Sequence, residues 1–138
     1  VTWSVSLELE IEPESIRAAR RLVRAAAELA GAPADEAGEI EIAAGEGLAH
    51  AYRRACHTGA RPVQVQMEFD GVDFSITIHD QDVGPAPPAP PATPPPRTDP
   101  QGLGLYVMSR MMDAFEVLMD AHGRGAAVRM VKRVHAAP

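Results

Sequence analysis

PVQVQMEFDGVDFSITIH, residues 62–79, holds two strand-like runs, Pro62 to Phe69 and Val72 to His79, parted by Asp70-Gly71, the strongest short hairpin signal in the chain. A hairpin at this point makes the sheet at least partly antiparallel. Upstream, Val1 to Ile11 alternates, with Trp3, Val5, Leu7, Leu9 and Ile11 on one face and Ser4, Ser6, Glu8 and Glu10 on the other, the period of a half-buried strand suited to a sheet edge. Pro13 and Glu14 suit a helix first turn, and Ile16, Ala19, Leu22, Val23, Ala26 and Ala27 recur at helical spacing until Gly31 and Pro33 stop it. A second helix is expected from about Ala34 to His57. Downstream, Pro85 to Pro100 holds nine of the 13 prolines. A backbone so short of N–H donors excludes a helix or central strand and predicts an extended, mobile loop. A helix from about Leu103 to Asp113 follows, offering Leu105, Met108, Met111 and Met112 to a core. Phe115 to Asp120 and Ala127 to Val134, joined by His122-Gly123-Arg124-Gly125, close the chain as a hairpin. This order predicts an α/β (α+β) two-layer sandwich, with a mixed, mainly antiparallel sheet of about five strands and three helices on one face.

The bulk numbers narrow the function. A length of 138 residues fits one domain with one core. A formal charge of −6 argues against a nucleic-acid surface, which needs clustered Lys and Arg. Cys56 is the only cysteine, so no disulfide framework is expected. No apolar run approaches the roughly 20 residues of a spanning helix, and no signal-peptide pattern opens the chain. The expected compartment is the cytoplasm.

Three segments carry candidate chemistry. On the second helix, a projection at about 100° per residue puts Glu39, Glu46, His50, Arg53 and His57 on one side and Ala37, Ala44, Leu48, Ala51 and Ala55 on the other. The small apolar side predicts close packing on a sheet, and the polar side predicts a cleft or water. The second segment is the turn Asp80-Gln81-Asp82-Val83-Gly84 after a strand, and the third is Gly102-Leu103-Gly104-Leu105 at a helix start. Taken singly, each has an ordinary reading: an i, i+4 surface pair, a turn, and a glycine loop before a core helix.

Taken together, the three stretches resemble the nucleotide-binding domains of the GHKL superfamily (the Bergerat fold), and within it the small bacterial anti-sigma factors that are serine-protein kinases. In that family a helix carries a glutamate followed four residues on by an asparagine, a strand ends in Asp-x-Gly-x-Gly, and Gly-x-Gly-Leu opens a helix after a lid. The matching stretches here are residues 43–51, 80–84 and 102–105, so the resemblance covers nearly the whole chain. It implies ATP and Mg²⁺ as cofactors, with Glu46 as general base or as the group that orients a substrate hydroxyl. It implies that Asp80 accepts from the adenine amine, that Gly84 lets the backbone approach the base, and that Gly102, Leu103, Gly104 and Leu105 present helix-start N–H groups to phosphates. Arg54 and Arg97 would supply positive charge to the triphosphate, and residues 85–100 would form the lid. The sequence departs from the family in three places. His50 stands at the Mg²⁺ ligand position of the family asparagine, Asp82 stands at a family glycine, and Ala126 and Ala127 stand where a threonine usually follows the last glycine.

The function implied is an anti-sigma-type regulator with ATP-dependent serine/threonine kinase activity. Its partners would be a sigma factor, a STAS-type anti-sigma antagonist, or both, and a homodimer is compatible with it. The departures motivate an alternative, a module of the same fold that regulates a partner by contact alone.

Overall fold

The computed structural model describes residues 2–58, 62–80, 88–119 and 126–135. The elements in chain order are β1 (Trp3–Glu10), α1 (Pro13–Leu29), α2 (Ala34–Thr58), β2 (Pro62–Phe69), β3 (Asp73–Asp80), α3 (Pro100–Met111), β4 (Ala114–Met119) and β5 (Ala126–Arg133). The five strands form one open sheet in the order β1-β2-β3-β5-β4, and every pairing is antiparallel. With the three helices this is the expected two-layer α/β sandwich, and β1 lies at an edge.

The hairpin at Asp70-Gly71 forms, but Phe69 pairs with Phe74, so the turn spans residues 70–73 and Val72 falls outside β3. The reason is local. Gly71 takes a positive φ of 97°, and Asp70 Oδ1 accepts from the backbone N–H of both Val72 (2.9 Å) and Asp73 (2.7 Å), an Asx-type closure. Those donors, Asp73 first, hold the Asp70 carboxyl below its usual range. Helix α1 starts at Pro13, where a missing N–H costs nothing. Ahead of it, the Glu12 N–H donates to Ser15 Oγ at 3.0 Å. After α1 the chain reverses through Gly31, whose φ is 95°.

The core lies between the sheet and the helices. Val63, Val65 and Met67 of β2, Phe74, Ile76 and Ile78 of β3, and Val128 and Met130 of β5 meet Ile40, Ala44 and Leu48 of α2 and Leu105 and Met108 of α3. Trp3 stacks edgewise on Phe74 with centroids 6.1 Å apart and closes the β1 end. Helix α2 packs against both α1 and α3, so its polar side is more enclosed than its composition predicts. Glu39, on that polar side, stays 40% exposed while it pairs with Lys132 Nζ of β5 at 2.7 Å. That ammonium also donates to the Met111 carbonyl at 2.7 Å, tying α2, α3 and β5 together. At the far end of β5, His135 meets Glu36 at 2.7 Å. No helix among the described residues is long and apolar enough to cross a membrane.

Candidate functional site

Three elements converge: the middle of α2, the end of β3 and the start of α3. Gly47 permits the approach of α2 to the sheet. A methyl group there would come to 2.5 Å from Ile78 Cδ1 and 3.4 Å from Met130 Cε, so a larger residue would lift the helix. One residue earlier, Glu46 points toward α3. A methyl group built on Gly104 would lie 2.9 Å from Glu46 Oε2 and 3.7 Å from Arg53 Nη2, so the bare backbone of Gly104 makes room for Glu46 while Arg53 stands at ordinary contact distance. Glu46 and Arg53, seven residues apart, share one face of α2.

Helix α3 begins at Pro100, three residues before its expected start, because Asp99 caps it and Pro100 fills the first position. Gly102 and Gly104 therefore lie inside the first turns. Asp99 Oδ1 accepts the Gly102 N–H at 3.0 Å and the Asp99 carbonyl accepts the Leu103 N–H at 3.0 Å, so amides expected to meet phosphates already have partners. Any Cβ on Gly102 would collide with the Asp99 carboxylate. Leu105 is buried in the core and Leu103 is exposed.

At the end of β3, Asp80 Oδ2 meets Arg54 Nε at 2.9 Å, with both side chains 13% exposed. Beside the pair is a cavity of about 10 Å³ walled by Gly47, His50, Ala51, Ile78, Asp80 and Arg54, room for about one water. His50 is 6% exposed, and its Nε2 is buried without a hydrogen-bond partner among the described residues. Burial first, and then the Arg54 and Arg53 charges, lower its pKa from 6.5 to about 4, so the ring is neutral at ordinary pH. Arg53 Nη2 is likewise buried without a partner among the described residues.

The family model for the histidine kinase-like ATPase domain matches residues 9–132. The chain belongs to the histidine kinase-like ATPase family. No curated protein matches it significantly in sequence. Among solved structures it is similar to the RsbU and RsbW domains of Rv1364c from Mycobacterium tuberculosis, with a TM-score of 0.70 and 15% identity over 96% of this chain and 32% of that one. It spans about a third of that protein. It is also similar to the SiaB-SiaC complex from Pseudomonas aeruginosa, with a TM-score of 0.62 and 13% identity over 94% of this chain and 89% of that one. At these identities the likeness speaks for the fold.

Within this histidine kinase-like ATPase domain, then, Glu46 and Gly104 come together, and His50 lies on the same stretch of α2. Arg54 is at Asp80, the residue expected to read the base, and Arg97 sits on an exposed turn ahead of α3 with no ion pair among the described residues. Gly84 and Asp82 lie outside the described residues. The resemblance gives phosphate contact to Arg54, while Arg53, on the same face of α2 as Glu46, is the arginine that lies beside Gly104. The signal that singles Arg53 out is its i+7 spacing from Glu46. Arg53 Nη2, a buried donor without an acceptor among the described residues, is chemically suited to an anion. Mg²⁺ prefers oxygen ligands, and one helical turn after Glu46 it would meet the nitrogen of His50.

Proposed function

We propose that this protein is a regulatory serine/threonine protein kinase of the anti-sigma type, acting on a STAS-type antagonist in a partner-switching pathway and contacting a sigma factor in the cytoplasm, as a homodimer or alone. The observation that carries this reading is Glu46, held against the glycine backbone of α3 with Arg53 beside it. ATP, when bound, would supply the phosphoryl group. Glu46 would accept the proton of the incoming serine or threonine hydroxyl, or orient it in line with the phosphorus. Arg53 would meet the transferring charge, and the backbone at Gly104 would leave space for it. Residues 88–99, which form neither helix nor strand, would lie over the nucleotide as a lid. The domain likeness and the RsbW-type neighbour support this assignment.

Phosphate transfer to a purified STAS-type antagonist tests it. Glu46→Ala is expected to lower transfer by roughly 10²- to 10⁴-fold while nucleotide binding persists. Tight nucleotide binding by the wild type with no transfer to any antagonist would overturn the catalytic assignment.

A second reading, regulation by protein contact without ATP, is favoured by the Arg54–Asp80 pair and the small cavity beside it. A purine could reach Asp80 only if Arg54 moved. Thermal unfolding with saturating ATP separates the two readings, because a bound nucleotide raises the midpoint and an excluded one does not.

A further inference from the structure

Along α2, Glu46, His50 and Arg53 follow one another at spacings of four and three residues, with His50 between the α3 side and the sheet side. In the family, the position of His50 belongs to an oxygen donor. Here it presents an imidazole nitrogen, buried and flanked by the guanidinium groups of Arg53 and Arg54. Arg54 is matched by Asp80 at 2.9 Å, whereas Arg53 brings a buried Nη2 with no acceptor among the described residues to the first turns of α3. Leaving a buried charged donor unmatched is costly, and an arriving phosphate oxygen would relieve that cost through a charge-assisted bond.

Resting on the nucleotide-binding reading above, we propose that this site takes the phosphates of a nucleoside di- or triphosphate without a divalent cation, the Arg53 guanidinium supplying the positive charge in its place. A guanidinium suits the task because it stays charged and offers a planar fork of donors to phosphate oxygens.

Isothermal titration of ATP and ADP into the whole chain tests this, once with Mg²⁺ and once with excess EDTA. The variants are Arg53→Gln and His50→Asn. Wild-type affinity is expected to agree within about twofold between the two conditions. Arg53→Gln is expected to bind roughly tenfold or more weakly in both. His50→Asn, which places an amide oxygen on the same turn of α2, is expected to acquire Mg²⁺ dependence. Wild-type binding that tightens roughly tenfold or more with Mg²⁺ overturns the proposal, and that arm needs no variant to fold. Arg53→Gln binding as tightly as wild type overturns it too, as does a His50→Asn variant indifferent to metal. If the folded wild type binds neither nucleotide in either condition, the nucleotide site itself is refuted and this inference falls with it. That result is distinct from metal-dependent binding, which leaves the site standing.

Discussion

Asp99 illustrates how one side chain can serve folding and oppose ligand binding. Its carboxylate caps α3 through the Gly102 N–H, yet it places negative charge where an anionic ligand would approach. Asp99→Ser keeps a capping oxygen and removes the charge. Because serine and aspartate cap about equally well, the thermal midpoint is expected to stay near that of the wild type while ADP binds more tightly, as titration calorimetry would read. Gly104→Ala is the converse case. Alanine favours a helix over glycine by about 1 kcal/mol, and the only close contact of its methyl group is the mobile end of Glu46. Stability is expected to hold or rise by up to about 1 kcal/mol, while phosphate transfer falls because Glu46 is displaced. A variant that loses stability as well would show that α3 cannot accept the methyl group. At this scale Glu46, Asp80 and the two glycines stood out in the sequence through the family resemblance of their three segments. The Arg54–Asp80 pair did not, since it joins a helix to a strand end through packing that no local pattern encodes.

Among the elements, α2 does the most positioning. Its seat depends on Gly47, where a methyl group would press on Ile78 and Met130, both in the core. Gly47→Ala is expected to destabilise the protein by about 1–3 kcal/mol through overpacking, despite the better helix propensity of alanine. Denaturant unfolding would measure it, and a stabilised variant would mean that α2 has slack over the sheet. Both long helices and the first hairpin were readable, because each carries a strong period and a clear stop signal. The start of α3 was missed. The helix was expected from about Leu103, because the cap and the first-position proline at 99–100 sit at the end of a proline-rich run that argues for loop. The enclosure of α2 was also hidden, since a polar face looks the same in sequence whether it meets water or buried partners such as Lys132.

For the whole molecule, a pH-dependent contribution to stability follows from His50. The ordinary pKa of 6.5 falls to about 4 in the folded chain, so between these values the unfolded state binds a proton that the folded state rejects. The sign is fixed: this contribution is complete above about pH 6.5 and is lost as pH falls toward about 4, amounting to about 3 kcal/mol in all. Chemical denaturation across that range is expected to show the decline in the wild type and a flatter curve in His50→Asn. Equal slopes would place the titration elsewhere. The layer architecture and the helix face were legible from the sequence, because both follow from element order and apolar patterning. The lateral order of the last strands was less so, since pairing β3 with β5 depends on contacts about fifty residues apart.

That lateral order has a consequence for how the sheet is completed. Of the five strands, β5 is the last to be synthesised, yet it lies inside the sheet, between β3 and β4. The three-stranded part of the sheet, β1 with the β2–β3 hairpin, can assemble earlier, leaving one margin of β3 with its N–H and C=O groups unmatched. Ile76 and Ile78 sit on that strand. Until residues 126–133 emerge from the ribosome and insert, the nascent chain carries an open, apolar template beside a long and entropically expensive closure. In that interval a strand from another nascent chain competes for the place of β5.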